Sequence, residues 1–331
     1  MDRTLEPGSE RATYGGAGFI SRQGTHAEDV RGGQVWTACG TRSEVAPLRT
    51  VLLSWPGREL AAVTDPEASL FLDRVTVPRI QEETLAIADY FRSRGVTVRV
   101  FSPPSTPPPN LIFMRDTFFA TEEGAIIGRM GAQQRAGEER FASQALAGVG
   151  VPVLATLRAD ATFEGADALW IDPQTVLVGV GRRTNDAGYR QVKAILHTIG
   201  ARTVRVPMPG GVQHLLGLVN FVDEHLAVIS ERLAPRRLRE ILAAHGFRSI
   251  ALPANREFTN GRAMNFVTIS PMHVVMPAGN PETRARLQCE GITCDEICVD
   301  EYLKAAGGLG CLTGIVHRDA IGSAVREAPQ R

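Results

Sequence analysis

Four residues far apart along the chain have side chains that could together carry out covalent chemistry: Cys311, His214, Asp116 and Glu164. A cysteine thiolate is a strong nucleophile once its pKa falls, and a nearby histidine can protonate a leaving amine and then activate water. Two carboxylates would raise the pKa of such a cysteine unless the substrate were a cation. Because carboxylates bind a planar guanidinium in a bidentate manner, the set favours attack on a guanidinium carbon.

Each of these residues also has an ordinary structural interpretation. Cys311 lies in the stretch GGLGCLTG (307–314) and could be a small buried hydrophobic residue. His214 could be a core histidine, and Glu164 could lie in a turn. Asp116 follows Arg115 directly and could form a structural ion pair with it. The position of these residues relative to a repeat in the chain is what favours a common site.

The repeat consists of a helix, a glycine that ends it and a following strand. Glycine suits the left-handed conformation that ends many helices. Each unit also has a second apolar strand, at 125–130, 175–181, 225–230 and 273–277, and RTVLLSW (49–55) is predicted to close the ring. A sequence repeat with a period of about 50 residues is typical of arrays of supersecondary units. The glycines are spaced 55, 50, 46 and 45 residues apart: Gly95, Gly150, Gly200, Gly246 and Gly291.

This pattern predicts an α/β fold in which five strand–helix units surround one axis, with a plain doubly wound sheet as the alternative. Asp116, Glu164, His214 and Cys311 follow the glycines of their units by 21, 14, 14 and 20 residues. Equivalent positions in units around an axis converge on that axis. One thiol, one imidazole and two carboxylates are therefore predicted to face a common pocket.

In its motifs the chain resembles the guanidino-group-modifying enzymes, which include arginine deiminases, dimethylarginine dimethylaminohydrolases and amidinotransferases. The resemblance extends from about Thr41 to Arg318, and the family's fold is a five-bladed pseudosymmetric α/β propeller, the pentein fold. This fold agrees with the five-unit repeat found in the sequence. The motifs are NLIFMRD (110–116), FEGAD (163–167), GRRTN (181–185), QHLLG (213–217), AMNF (263–266) and GGLGCLTG (307–314).

The resemblance implies a role for each residue of the set. Cys311 would add to the guanidinium carbon and form a covalent thiouronium-type intermediate. His214 would act first as general acid and then as general base, and Asp116 would bind the guanidinium nitrogens. Glu164 would orient His214 and add to the negative wall, while Asp167 would support the site from behind.

Two arginines bind the substrate α-carboxylate in members of this family. Here Arg135 lies 19 residues after Asp116, and Arg183 lies 19 residues after Glu164. We predict that these two arginines have that role, with Arg182 as the alternative to Arg183. A structural interpretation, in which both are surface arginines, also stays open.

Leu216 distinguishes this chain from part of the family. Arginine deiminases and amidinotransferases carry an Asp at this position, two residues after the histidine, which binds the terminal guanidinium nitrogen. Dimethylarginine dimethylaminohydrolases lack it and have Lys followed by Ser or Thr, whereas Gly217 follows here. An N–H left unpaired against Leu216 would cost about 1–3 kcal/mol in a buried site. N-methyl groups would instead gain apolar burial, so we predict hydrolysis of an N-methylated arginine to citrulline and an amine.

Three other functions stay open: an arginine deiminase, an amidinotransferase that passes the amidino group to an acceptor amine, and a non-catalytic binding protein of the same fold. Amidinotransferases have a histidine directly before the cysteine, whereas Gly310 precedes Cys311 here. This difference disfavours transfer. The presence of the whole Cys–His–carboxylate set disfavours a non-catalytic protein.

Composition limits the partners. Among 331 residues, 36 are Lys or Arg and 36 are Asp or Glu, so nothing attracts nucleic acid or an anionic membrane. No apolar run approaches the roughly 18 residues of a membrane span, and the N-terminus lacks the pattern of a signal peptide. We predict a cytoplasmic enzyme with a small-molecule guanidino substrate, no cofactor and no metal. A homodimer is suggested by analogy with relatives alone.

The cysteines and the ends of the chain complete these expectations. Five cysteines are few and odd in number, which suits free thiols in a reducing compartment. The set Cys289, Cys294 and Cys298 does not have the spacing of a zinc site. We predict a loosely ordered extension at 1–40, a single catalytic domain at 41–320 and a tail at 321–331.

Overall fold

The computed structural model describes residues 11–320, within which fifteen strands form five sheets of three strands each. The strands are β1 Leu48–Ser54, β2 Thr97–Phe101, β3 Phe118–Thr121, β4 Gly124–Ile127, β5 Val153–Thr156, β6 Ala168–Asp172, β7 Thr175–Val180, β8 Arg202–Pro207, β9 Val219–Asp223, β10 Leu226–Ser230, β11 Arg248–Leu252, β12 Val267–Ser270, β13 His273–Pro277, β14 Thr293–Ile297 and β15 Gly314–Arg318.

Helices connect these strands and also cover them. In the described part of the chain they are α1 His26–Gly32, α2 Arg58–Ala61, α3 Val77–Ser93, α4 Met114–Thr117, α5 Glu138–Gly148, α6 Asp186–Thr198, α7 Arg236–Ala244, α8 Arg256–Thr259, α9 Pro281–Cys289, α10 Asp300–Lys304 and α11 Leu309–Leu312. None of these helices combines the length and the apolar character needed to cross a membrane.

Each sheet is one blade, and all five blades are built alike. The middle strand pairs antiparallel with the first strand and parallel with the third, and a helix of nine or more residues connects the parallel pair. The helices that do so are α3, α5, α6, α7 and α9. We number the blades 1 (β15-β1-β2), 2 (β3-β4-β5), 3 (β6-β7-β8), 4 (β9-β10-β11) and 5 (β12-β13-β14).

The blades form a closed ring, because each hydrophobic core cluster lies between two neighbouring blades. One cluster joins blades 1 and 2, and three others join blades 2 and 3, 3 and 4, and 4 and 5. The remaining cluster packs β1 and β15 against β12 and β13, which returns blade 5 to blade 1. This arrangement confirms the predicted five-unit α/β propeller and excludes the doubly wound sheet.

The five repeated glycines have the backbone conformation that the repeat predicts. Gly95, Gly150, Gly200, Gly246 and Gly291 have φ angles between 74° and 80°. A residue with a Cβ atom is strained in this left-handed region, so glycine ends each helix at little cost. The chain then turns directly into the third strand of the blade.

One class of strand was absent from the sequence prediction. It comprises the first strand of blades 2 to 5, four or five residues long in each case: β3, β6, β9 and β12. These strands are almost entirely buried, so they lack the alternation of apolar and polar residues that marks a half-exposed strand. The sequence of such a short apolar run does not show whether it forms a strand or part of a buried helix.

The predicted N-terminal extension is partly within the described residues. Residues 26–32 form α1, which begins with a capping box between Thr25 and Glu28. Val30 of this helix is fully buried against the core between blades 1 and 2. Residues 1–10 and the predicted tail at 321–331 lie outside the described residues.

Candidate active site

The polar residues of the predicted set lie just before the first strand of a blade. Asp116 is in α4, directly before β3, and Glu164 and His214 precede β6 and β9. Cys311 is in α11, before β15. Pseudosymmetry of the blades brings these positions to the same end of the axis, where Asp116, His214 and Cys311 line one pocket.

His214 lies between the two carboxylates. Its Nε2 is 2.6 Å from Oε2 of Glu164, and its Nδ1 is 3.7 Å from Oδ1 of Asp116. Burial alone would lower the pKa of His214, but the carboxylates of Asp116 and Glu164 outweigh it and raise the pKa to about 9. The imidazole is therefore protonated at neutral pH, the form required of a general acid.

Asp167 fixes the segment that carries His214. Its Oδ1 accepts the backbone N–H of Leu215 at 2.9 Å, and its Oδ2 accepts the hydroxyl of Thr184 at 2.7 Å. Burial raises the pKa of Asp167 to about 6, with His214 and the two hydrogen bonds opposing the shift. Asp167 thus lies behind His214 and acts through the backbone.

Arg135 is the positive partner of the carboxylates. Its Nη1 is 2.7 Å from Oδ2 of Asp116 and 3.2 Å from Oε2 of Glu164, while Nε and Nη2 donate to Glu138 at 2.9 and 2.7 Å. Burial would raise the pKa of Glu164, but Arg135, His214 and Arg183 lower it strongly. Arg135 thus helps to keep Glu164 ionised, and its predicted contact with a substrate carboxylate stays a prediction.

One oxygen of this network lacks a donor. Oδ1 of Asp116 is buried, and no group in residues 11–320 donates a hydrogen bond to it. Buried polar atoms are nearly always paired, and an unpaired one is costly. This carboxylate oxygen, 3.7 Å from His214 Nδ1, is therefore the natural acceptor for an N–H of a bound ligand.

Cys311 is held by a residue that the sequence analysis did not select. Nδ2 of Asn265 donates to Cys311 Sγ at 3.0 Å, and the backbone N–H of Cys311 donates to Asn265 Oδ1 at 3.0 Å. Asn265 lies in the AMNF motif, 19 residues after Gly246, and directly before β12. Its distance from the glycine of its unit is similar to those of Asp116 and Cys311, and this similarity could have identified it.

The thiol is neutral at rest. Burial and the charge of Asp116 raise the pKa of Cys311, while the hydrogen bond from Asn265 and the charge of Arg262 act in the opposite direction. A cation bound beside Asp116 would cancel the negative charge that faces the thiol and so favour the thiolate.

The glycines of GGLGCLTG allow close packing around the thiol. A Cβ atom at Gly307 would lie 2.1 Å from the ring of Phe113, which belongs to the NLIFMRD motif. A Cβ atom at Gly310 would lie 3.1 Å from Asn265. The stretch therefore packs closely against the NLIFMRD and AMNF motifs. At Gly307 the contact is so close that only glycine fits.

Arg183 lies at the side of the pocket and is partly exposed. Its Nη1 is 3.2 Å from Oε1 of Glu164, and its side chain is 15% exposed. Gly131 donates its N–H to the same oxygen at 2.9 Å, and a Cβ atom there would clash with the backbone of Arg183. Arg182 is exposed and does not line the pocket.

Arg115 does not pair with Asp116. Its Nη2 lies 3.0 Å from Oε2 of Glu44 in a separate buried cluster that also contains Arg318. The structural interpretation of an Arg115–Asp116 ion pair is therefore wrong. The consecutive residues Arg115 and Asp116 therefore belong to two different clusters of charged side chains.

Two pockets meet at Cys311 and His214. The polar pocket is lined by Asn110, Asp116, Arg135, Arg183 and Gln213 together with Leu70, Phe113 and residues 305–307. The apolar pocket lies on the other side and opens to solvent; its side chains are Val212, Leu216, Leu233, Phe258 and Met264, with Arg262, Gln213 and Asn265 at its edge.

Asp116, Glu164 and His214 each place a ligand atom within 4.8 Å of the others, a spacing at which three groups could bind a metal ion. However, Arg135 already places a guanidinium between the two carboxylates, at 2.7 and 3.2 Å. A metal ion there would lie against this fixed positive charge. The donor set fits a guanidinium better than a divalent metal.

Comparison with known proteins points to one superfamily. Residues 99–237 match the family model of arginine deiminase. A dimethylarginine dimethylaminohydrolase from Pseudomonas aeruginosa is 28% identical over 214 residues, which cover 64% of this chain and 78% of that protein.

Solved structures show the same fold. A dimethylarginine dimethylaminohydrolase from Pseudomonas aeruginosa, a cysteine-to-serine variant in complex with citrulline, aligns with a TM-score of 0.66 at 22% identity and covers 82% of this chain and 100% of that one. An amidinotransferase from Microseira wollei aligns with a TM-score of 0.66 at 14% identity, covering 85% and 98%. With its five blades and its ordered motifs, the chain has the pentein fold and resembles the guanidino-group-modifying enzymes of that fold.

Proposed function

We propose that this protein hydrolyses an N-methylated arginine to citrulline and methylamine or dimethylamine. The observation that carries the proposal is the unpaired oxygen of Asp116, which is buried in the pocket that Cys311 and His214 also line. Such an acceptor suits an N–H of a planar cation. The sequence similarity to a dimethylarginine dimethylaminohydrolase supports the same substrate class.

The chemistry begins with a change in charge. A substrate guanidinium donates an N–H to Asp116 Oδ1, and its positive charge lowers the pKa of Cys311, whose proton is lost to solvent. The thiolate attacks the guanidinium carbon and forms a C–S bond. His214, protonated at neutral pH, gives its proton to the substituted nitrogen, and the C–N bond to the amine breaks.

The second half of the reaction uses the same residues. The neutral imidazole of His214 takes a proton from water, which attacks the carbon of the covalent intermediate. The C–S bond breaks, the hydroxyl group on the carbon loses its proton to solvent, citrulline is released and Cys311 returns as the thiolate. Glu164 holds the imidazolium through its contact at 2.6 Å and thereby supports both proton transfers.

Leu216 favours the methylated substrate. It is buried and lines the apolar pocket, whereas Asp116 lines the polar one. A free N–H facing this side chain would lose its hydrogen bond to water, at about 1–3 kcal/mol. An N-methyl group would be buried at the same place without that loss.

The test is a panel of arginine, Nω-methylarginine and Nω,Nω-dimethylarginine, with citrulline and the released amine both quantified. Equal amounts of citrulline and methylamine or dimethylamine, with higher kcat/KM for either methylarginine than for arginine, are expected. Higher kcat/KM for arginine would replace the proposal with an arginine deiminase. Turnover that requires an acceptor amine would replace it with an amidinotransferase.

A further inference from the structure

The apolar pocket is larger than the methyl groups of the proposed substrates need. The volume of this pocket is about 100 Å³. On the same measure, a group the size of a water molecule or a methyl group needs about 10–15 Å³. Two methyl groups would leave most of this space unfilled.

The pocket lies where the leaving amine of the reaction must be. Cys311 and His214 line both pockets, so the attacked carbon lies at their junction. Asp116 and Arg183 occupy the polar side and would bind the guanidinium and the amino-acid end of the substrate. The substituent on the remaining nitrogen therefore points into the apolar pocket.

The walls of the pocket are apolar but incompletely covered. Leu216 and Met264 are buried, whereas Val212, Leu233 and Phe258 are only partly buried. Val212 and Leu233 belong to the core between blades 3 and 4, and Phe258 packs on the core between blades 4 and 5. An apolar group in the pocket would remove more of these side chains from water, which is favourable.

The positive charge of Arg262 in the apolar pocket disfavours a cationic substituent. Arg262 lines the apolar pocket and acts electrostatically on Cys311. Its φ angle is 50°, a left-handed conformation that is unusual for arginine, and its carbonyl accepts the N–H of Asn265 at 2.7 Å. The backbone of this turn is therefore held in place, and the positive charge of the Arg262 side chain disfavours a second cation in the pocket.

We propose that the preferred substrate is an arginine whose Nω-substituent is an uncharged alkyl group of about four carbons, released as the corresponding alkylamine. This inference rests on the proposed function and extends it to a specific leaving group. Cys311 forms the C–S bond, His214 protonates the alkyl-bearing nitrogen as its C–N bond breaks, and water then releases citrulline. Leu233 and Phe258 are the residues that determine the size of the substituent.

The experiment compares Nω-methylarginine, Nω-propylarginine, Nω-butylarginine and Nω-(4-aminobutyl)arginine, with citrulline and amine release measured for each. Burial of a CH₂ group is worth about 0.8 kcal/mol, or about a fourfold change in kcat/KM. We therefore expect kcat/KM for the butyl compound to exceed that for the methyl compound by at least about tenfold. The aminobutyl compound, of similar length but cationic, is expected to be the poorest of the longer substrates.

Two variants test the location. Leu233→Trp and Phe258→Trp fill the pocket from opposite sides, and each is expected to reduce the butyl-to-methyl ratio of kcat/KM by about tenfold or more. Leu85→Trp is the matched control, because Leu85 is 51% exposed on α3 and lines neither pocket. If one filled variant fails to fold, as judged by thermal melting, the other still gives the ratio.

The outcomes separate the two proposals. Turnover of methylarginine with a butyl-to-methyl ratio of one or less overturns the inference and leaves the proposed function in place. A high ratio that neither tryptophan variant reduces overturns the assignment to this pocket. Absence of citrulline from every compound, matching a Cys311→Ser blank, overturns the proposed function itself.

Discussion

The polar and apolar pockets on either side of Cys311 are built in opposite ways. Side chains of the polar pocket are locked by ion pairs, as in the contact of 2.7 Å between Arg135 and Asp116. The aliphatic and aromatic side chains of the apolar pocket are held by packing, and Leu233 and Phe258 keep part of their surface in water. Under the proposed function, one side carries out the reaction and the other selects the amine. Changes on the polar side should affect all substrates, and changes on the apolar side should affect their ratios.

The largest effect is expected from Cys311→Ser. A serine hydroxyl in this place has no base to make it an alkoxide, so citrulline formation should fall by at least about 10⁴-fold for every substrate. Cys298→Ser, at an exposed cysteine, is the matched control and should retain activity. Unchanged turnover by the Cys311 variant would show that Cys311 is not the nucleophile.

Removal of one charge from the polar pocket should have the next largest effect. Asp116→Asn keeps the size of the side chain but removes the negative charge that attracts the guanidinium, so kcat/KM should fall by about 10²–10³-fold. The loss should be the same for methylarginine and dimethylarginine, because the changed group faces away from the apolar pocket. A loss confined to one of the two would contradict the division between the pockets.

Arg183→Gln should separate binding from chemistry. A charge-assisted hydrogen bond to a substrate carboxylate is worth about 1.5–3 kcal/mol, so KM should rise about ten- to a hundredfold while kcat changes little. Agmatine, which has the guanidinium but no carboxylate, should be unaffected by the substitution. Arg182→Gln is the control, since Arg182 is exposed outside the pocket.

The pH profile should reflect the two buried groups that transfer protons. In the free enzyme, burial and Asp116 raise the pKa of Cys311, and a bound guanidinium lowers it again, so kcat should rise with pH as the thiolate forms. The pKa of His214 is about 9, and above it the general acid is lost and the rate should fall. Glu164→Gln removes a negative partner of His214, so the alkaline limb should move to lower pH. An alkaline limb that stays in place would show that another group titrates there.

Much of this architecture could be predicted because its signals are local. A glycine with positive φ after each helix marks the unit boundaries in the sequence, and Gly95 and Gly200 are typical cases, with φ of 75° and 74°. Side chains at one phase of the repeat must then meet at the axis. This geometry is why His214 and Asp116, 98 residues apart, could be assigned to one pocket from the sequence.

The remaining features depend on contacts between distant segments. Asn265 was not selected because an amide has no distinctive chemistry until Cys311 is placed 3.0 Å from it. Arg135 could be chosen by spacing, but its pairing with Glu138 and Asp116 requires the fold of α5 against α4. The apolar pocket combines loops of blades 4 and 5, and no local sequence pattern predicts that these loops lie together.

The smallest effect is expected at Leu216, where the two pockets adjoin. Leu216→Asn places a neutral acceptor where the proposal puts an apolar wall, so arginine should gain relative to methylarginine by about five- to tenfold in kcat/KM. Leu216→Ala removes the same buried contact without adding an acceptor, and thermal melting of both variants checks the fold. If alanine shifts the ratio as much as asparagine does, the preference arises from space alone. A shift seen only with asparagine would attribute it to the unpaired N–H of arginine, which is the physical reason for expecting a methylated substrate.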